Sequence, residues 1–296
     1  MATEGRGIQS IEVGGRILQV LVEAEQPMML RDLARKAGVL PAQAHGYLVS
    51  YRKQGLVEQD SGAGLYRLGP FALQLGIARM RSFDPLRAAG DLLPDLVSAT
   101  GCTAMLSIWG THGATVIQIQ EGPDPLYTKT RAGTVYSLYG TATGRVFAAF
   151  MPERVIEAAI EMENAEGPRS KRIGVRGPIS FKAIRTIINA VRRQGYSAID
   201  PPPIPGVSAL SAPVFDHLGQ IQMTFTLGGP SATMDTSPSS PLVPKLLAFA
   251  HDLSMQLGYE GPSPFENVVG VSNTVQFRGS RDASVTNGRP SKPGRQ

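Results

Sequence analysis

LRDLARKAGVLPAQAHGYLVSYRKQGLVEQDSGAGLYRLG, residues 30–69, decides how the front of this chain folds. Leu30, Leu33, Ala34 and Ala37 recur at helical spacing, and Gly38 closes the run with a turn. A second periodic run, from Pro41 to about Gln54, puts Ala44, Leu48 and Tyr51 on one face. Pro41 suits its first turn, where the missing N–H has no partner to lose. Leu56–Val57 and Leu65–Leu68 then flank SGAG, which reads as two short strands around a turn. One more helix is needed, and the preceding residues supply it. From about Ser10, Ile17, Val20, Leu21 and Ala24 make an apolar stripe that Pro27 stops, although Gly14 and Gly15 each weaken it by about 1 kcal/mol relative to Ala. Three short helices and a hairpin, in this order and this tightly spaced, predict a winged helix-turn-helix over residues 8–69.

Reading outward, PFALQLGIARMRSFD at 70–84 spaces Phe71, Leu75 and Ala78 along one helix face, widened by Leu73 and Ile77. A small domain with its own core precedes it, so this stripe needs another surface. A linker helix that pairs with a second subunit would provide one; packing on its own chain is the alternative. Residues 85–260 alternate helices with antiparallel strands: TAMLSIWG and ATVIQIQEG as neighbours, LYTKTRAG as another strand, then YSAID, VSALSAPVFD and IQMTFTLGG after several helices. The stretch 163–180 reads as a loop, and a last helix is predicted over Leu242–Leu257. The fold class is α+β, with helices covering a largely antiparallel sheet. Periodicity ends near Gly261, and residues 261–296 read as a flexible basic tail.

Charge and composition exclude more than they select. Residues 1–82 carry ten Lys/Arg against seven Asp/Glu, residues 83–260 fourteen against fifteen, and residues 261–296 five against two. Basic ends around a near-neutral centre fit nucleic-acid binding at a terminus, but so small an excess decides nothing alone. The one cysteine, Cys102, excludes an internal disulfide and any multi-cysteine metal site. The four histidines, 45, 112, 217 and 251, form no metal motif, and GxGxxG, P-loop and HExxH patterns are absent. No metal or cofactor is expected. No stretch approaches the roughly 18 apolar residues of a membrane span, and MATEGRGIQS lacks the apolar run of a secretory signal, so the expected compartment is the cytoplasm.

The third helix carries the DNA-reading expectation. Recognition helices set early residues against base edges, while nearby basic groups hold phosphates. Gln43 can bond bidentately to adenine; His45 can donate to a base or phosphate; Tyr47 either reaches the backbone or packs beneath the helix. Arg52 and Lys53 at the helix end, Arg67 on the wing and Arg6 in the leader are candidate phosphate or minor-groove contacts. In the second domain, YTKTRAGTVYSLYGTATGR concentrates hydroxyls, and GVSALSAPVFD and TFTLGG add small residues at strand ends. Tyr127, Tyr136, Leu138 and Tyr139 would wall a cavity for an apolar or aromatic body, with Thr141, Ser211 and Thr226 fixing a polar end. A solid core or an oligomer contact is the competing use of these tyrosines. Cys102 reads as a small core hydrophobe rather than a nucleophile, and Asp200 and Asp216 form no recognisable carboxylate pair, so no catalytic residue is assigned.

GIQSIEVGGRILQVLVEA, LRDLARKAGV, GLVEQDSGAGLYRLGP, RAGTVYSLYGTATGR, RRQGYSAID and GVSALSAPVFDHLGQIQMTFTLGGP, in this order, resemble the IclR family of transcriptional regulators over about residues 8–260. The resemblance implies an amino-terminal winged helix-turn-helix on a palindromic double-stranded operator. It also implies a GAF-like effector domain over 85–260, and assembly as a homodimer or dimer of dimers. The small-molecule effector would change the geometry of the DNA-binding heads and so control nearby catabolic genes. Asp200 enters the effector set through this resemblance.

Departures from the family pattern are local. Pro41, Ala42, Gln43, Ala44, His45 and Gly46 stand where Lys-Ser-Thr and Val-His-Arg are common, so His45 is kept and two cations and a serine are lost. Tyr139 replaces a common histidine, PPPIP at 201–205 an often acidic stretch, and Ala209 a cysteine; Thr226 and Gly228 replace serines. The less acidic pocket points to an organic acid, aromatic among them, as effector. Two other readings stay open: a ligand sensor that acts through protein partners with DNA binding weakened or lost, and a hydrolase or isomerase using the central cavity.

Overall fold

The computed structural model describes residues 7–24, 26–124, 129–167, 170–175, 177–199 and 204–261. Arg6, Tyr127, Asp200 and the tail beyond Gly261 lie outside them. The chain divides into two compact units, Met1–Asp84 and Pro85–Gln296.

The first unit contains α1 (Gln9–Val22), α2 (Leu30–Lys36), α3 (Pro41–Lys53), the hairpin β1 (Val57–Gln59) and β2 (Tyr66–Leu68), and α4 (Pro70–Ser82). Ile17, Leu33, Ala44 and Leu48 are fully buried in one cluster with Val57 and Tyr66, so α1, α2, α3 and each strand give at least one side chain to the same small core. Met28 extends the hairpin by a two-way backbone pair with Tyr66, at 2.9 and 2.8 Å. The weakness expected at Gly14 and Gly15 splits into two cases. A Cβ on Gly14 would collide with the Tyr51 hydroxyl and crowd Tyr47, whereas one on Gly15 would meet nothing within 4 Å. Gly14 leaves room for the Tyr51 and Tyr47 rings, which reach from α3 to α1 there.

The second unit contains α5 (Pro85–Thr100), β3 (Thr103–Gly110), β4 (Gly113–Gln120), α6 (Ala142–Phe150), α7 (Glu153–Glu166), α8 (Phe181–Gln194), β5 (Ser197–Ile199), β6 (Val207–Phe215), β7 (Ile221–Pro230) and α9 (Leu242–Gln256). The sheet order is β4-β3-β7-β6-β5, antiparallel throughout. Register sorts the residues of the three central strands into two faces. On one, Leu106 pairs with Phe225, Leu210 with Leu227, and Val214 with Met223, an apolar row. On the other, Met105 pairs with Thr226, Ser211 with Thr226, and Thr103 and Ala209 with Gly228. The alternation Met-Thr-Phe-Thr-Leu-Gly in β7 thus divides core from a face of hydroxyls and small groups.

Two expectations need correction. LYTKTRAG does not form a strand: residues 126–128 lie outside the described set, and Ala132–Gly133 is a turn in which Gly133 takes φ +87°. A strand cannot run through that left-handed residue, and only single bridges follow, Val135 to Thr115 and Tyr136 to Ile173. The loop expected from 163 begins later, because α7 continues to Glu166. Its last turn is tied down by Asn164, whose amide exchanges two hydrogen bonds with the Ile179 backbone at 2.7 and 2.8 Å.

Candidate DNA-reading surface and effector cavity

On α3, the inward residues Ala44 and Leu48 leave Gln43, His45 and Gly46 exposed on the other side. Nothing lies within 4 Å of where a Gly46 Cβ would be, so this part of the helix surface is open. Tyr47 packs beneath the helix: it is half-buried against the unit's core, with its ring 6.5 Å from that of Tyr51. The proposed phosphate contacts differ in how they are held. Arg52 Nη1 donates to Gln59 Oε1 at 2.9 Å, and Arg67 Nε pairs with Glu58 Oε1 across the hairpin at 2.5 Å. Lys53 is exposed.

In the second unit a cavity of about 570 Å³ opens over the hydroxyl face of the sheet. Its floor is Thr103, Met105, Ala209, Thr226 and Gly228; the first turn of α6 brings Thr141, Ala142 and Thr143. Thr130, Arg131 and Tyr136 form another side, Ile119, Ile199, Ile204 and Val207 supply apolar wall, and Gln120 and Glu121 add an amide and a carboxylate. Local hydrogen bonding explains why α6 starts where it does. Thr141 caps it, accepting from the Gly144 N–H at 3.0 Å while donating to the Ser137 carbonyl at 2.8 Å. Glu163, only 2% exposed, holds the turn before the cap. Its carboxylate accepts from the Ser137 hydroxyl at 2.5 Å and from the Leu138 N–H at 3.0 Å.

The polar groups facing the cavity have a fixed direction. Ser211 donates to the Phe225 carbonyl at 3.3 Å, and Thr226 donates to Ser211 at 2.9 Å. Thr226 has then spent its single proton, so in the 2.8 Å pair with Thr143 it must accept. Thr143 therefore keeps only acceptor capacity toward the cavity. Tyr136 contacts Met105 Sδ and Thr130 Oγ1, both at 3.3 Å, and burial pushes its phenol up so that it stays protonated. Donors for a bound anion are thus Arg131 at the exposed side and the Ala142 and Thr143 amides at the start of α6, the Gly144 N–H being taken by Thr141.

Of the residues expected in the effector set, Tyr136, Thr141 and Thr226 line this cavity. Leu138 and Tyr139 do not: Leu138 is in the core with α6, α7 and α8, and Tyr139 packs against that core with the Arg145 guanidinium 5.6 Å above its ring. Ser211 stands one hydrogen bond behind Thr226, fully buried. The sequence reading missed Arg131, Thr143, Thr103 and Met105. Arg131 and Thr143 were inside the stretch singled out, but side-chain size drew attention to its tyrosines; Thr103 and Met105 follow from alternation once β3 pairs with β7.

Features that would favour enzyme chemistry are weak. The Cys102 thiol donates to the Thr100 carbonyl at 3.6 Å, and burial raises its pKa, the reverse of what a nucleophilic thiol needs. Among the described residues no three His, Cys, Asp or Glu side chains gather as a metal site, and no helix is long and apolar enough to cross a membrane.

Comparison with known proteins now decides the family. Residues 10–61 match the IclR helix-turn-helix domain, and residues 78–255 match the bacterial transcriptional regulator IclR C-terminal domain. The chain belongs to the IclR family. The crystal structure of Pseudomonas aeruginosa HmgR is 34% identical, superimposes with a TM-score of 0.76, and is covered over 100% of its length by 86% of this chain. The glycerol operon regulatory protein of Streptomyces griseus is 28% identical over 86% of this chain and 98% of that protein. The transcriptional regulator XynR of Escherichia coli is 25% identical over 85% and 98%. This IclR-family chain is a DNA-binding transcriptional regulator, with a helix-turn-helix domain followed by the family's C-terminal effector domain.

Proposed function

We propose that the effector is a small organic acid, with an aromatic acid fitting best, held in the cavity of the second unit. The observation that carries this is the sorting of β7. Its Thr226 and Gly228 face a cavity with an apolar side of Ile119, Ile199, Ile204 and Val207; the first turn of α6 and Arg131 offer donors to a carboxylate, and Glu121 is the one acid among the described lining residues. A volume of about 570 Å³ suits a ring with short substituents. In this reading Tyr136, Thr141 and Thr226 contact the ligand, and Asp200 completes the set.

The DNA contacts are Gln43 and His45 on base edges, with Tyr47 steadying the helix and Arg6, Arg52, Lys53 and Arg67 on phosphates. The exposed apolar residues of α4 form the homodimer contact. Phe71, Leu73, Leu75, Ile77 and Met80 are between 38 and 67% exposed, and none of the thirteen residues is buried, so a second copy would cover a face that this chain leaves open. Dimers, or dimers of dimers, would place two recognition helices on a palindrome in the cytoplasm. The effector acts only through a difference in affinity between head arrangements.

Calorimetric titration of the purified dimer with benzoate, phenylacetate and their hydroxylated relatives tests the ligand class. At least one should bind saturably, release the protein from its operator, and lose roughly tenfold or more in affinity in Thr226→Val, which leaves the Thr143 proton without an acceptor. Saturable binding of neutral sugars in preference to every acid would overturn the reading.

A further inference from the structure

A second cleft, of about 720 Å³, opens in the same unit and is unlike the first in its chemistry. It lies between the turn at 129–135, His112 at the β3–β4 turn, and the segment Ser170–Ile173 after α7. Arg172 forms a fixed floor. Its side chain is 3% exposed, with Nε 3.0 Å and Nη2 2.8 Å from the two Glu166 oxygens and Nη1 2.5 Å from the His112 carbonyl. Ser170 adds a 2.6 Å hydrogen bond to the same carboxylate, and hydrogen bonding from Arg172, opposed in part by burial, holds Glu166 below the usual carboxylate range. Glu166, the one acid among the described residues lining the cleft, is therefore spent on Arg172.

What remains around the cleft is cationic. Lys129, Arg131 and Lys171 are exposed along its walls, and among the described residues no carboxylate stands within ion-pair distance of any of them. Three positive charges lining a concave surface whose buried arginine is already paired leave electrostatic work for a ligand to do. Uncompensated like charges repel one another and are stabilised by a counter-charge that several can share. A single carboxylate would satisfy only part of this set.

We propose that this cleft is a second ligand site, for a compact anion carrying at least two negative charges, either a phosphorylated metabolite or a polycarboxylate. Arg131 and Ala132 line both clefts, so the turn at 131–133 is a wall common to this site and to the effector cavity. On the effector reading given above, an anion that draws Arg131 to one side removes it from the other. The two ligands are then coupled, each changing the affinity of the other by the same factor.

The test uses the full chain, titrated with inorganic pyrophosphate and separately with citrate at constant ionic strength, with potassium chloride as the control. Heat of binding and the fluorescence of Trp109 are followed. Trp109 is the chain's one tryptophan and sits beside Gly113, next to the Arg172 guanidinium. Saturable binding of one or both anions is expected, the stronger showing which source of charge the site prefers. The double variant Lys129→Ala/Lys171→Ala should weaken it roughly tenfold or more, since two charge-assisted contacts go; Lys182→Ala, an exposed lysine on α8, should leave it unchanged. Both lysines of the double variant are exposed, and far-UV circular dichroism checks that it folds. Responses equal to the chloride control overturn the proposal. So does binding that survives in the double variant but is lost in Thr226→Val, which would put the anion in the effector cavity, or lost in Arg52→Ala/Lys53→Ala, which would put it on the DNA surface. The aromatic-acid titration is separate, so either site can fail without the other.

Discussion

The first unit exposes the polar side chains proposed to read DNA, and the second buries most of those proposed to meet the effector. On α3, Gln43 and His45 stand out in solvent over a helix whose inward residues alone make the core. In the effector unit, Thr143, Thr226 and Ser211 are at most 2% exposed and joined in a chain where each proton is already assigned. A reading surface of the first kind can change specificity one residue at a time with little effect on folding. A sensor of the second kind cannot, because a side chain that meets the ligand also satisfies a buried neighbour.

The contrast is most exposed to failure at Glu163. Glu163→Ala removes the acceptor of two buried donors, the Ser137 hydroxyl and the Leu138 N–H, and frees the turn that caps α6. A loss of roughly 2–4 kcal/mol is expected, read from the urea midpoint of the effector unit's transition. Glu157→Ala, on the exposed side of the same helix, should stay within about 0.5 kcal/mol. Similar midpoints for the two variants would mean that the buried network does not hold the site together.

Adjacent glycines in α1 sharpen the same comparison inside the first unit. Gly14→Leu should cost about 1–3 kcal/mol, because the side chain must displace Tyr51 and Tyr47. Gly15→Ala, with open space around it, should gain up to about 1 kcal/mol from helix propensity alone. Thermal unfolding of the two variants checks the signs. If both stabilise, α3 does not press on α1 as described.

These glycines also show what could be read from the sequence and what could not. Periodicity located α1, α2 and α3 because the few apolar residues that each buries recur at helical spacing, and it marked both glycines as equally unfavourable. Only the packing of Tyr51 across α1 separates them, and that is a contact between residues 37 positions apart. The effector cavity divides the same way. The small residues and hydroxyls at the end of TFTLGG pointed to Thr226, and the hydroxyl-rich stretch to Tyr136 and Thr141. Which of the neighbouring aromatic side chains turns inward depends on the cap at Thr141 and the buried Glu163, so Tyr139 and Leu138 were assigned to the wrong side of the turn. Arg131 was passed over because an arginine in a turn carries no pattern of its own.

On the DNA surface the effects should be on binding and specificity, with folding intact. Gln43→Ala should cost about 1–3 kcal/mol against the preferred operator and much less against altered sequence at the contacted base pair, measured by competition gel shift. Gly46→Arg restores a cation where family members commonly have one, into space that is open. It should tighten binding to every duplex and steepen the logarithmic salt dependence by about one. Equal loss across all sequences for Gln43→Ala would make it a phosphate contact.

The smallest effect expected concerns the wing. Arg67 is held by Glu58, and both side chains remain largely exposed, at 61 and 43%. Such a pair contributes less than about 1 kcal/mol to folding, so Glu58→Gln should leave the unfolding midpoint nearly unchanged. DNA is a different matter: the substitution removes a negative charge close to the phosphates and releases the guanidinium. Affinity should rise a few-fold at low salt, and the gain should fade as salt rises, because a screened charge loses its influence within about 10 Å at 0.1 M. A gain that persists at high salt would place Arg67 on a base edge; no gain at all would remove the wing from the interface. Either result still leaves the exposed unit tolerant of the change, which is the property that separates it from the buried one.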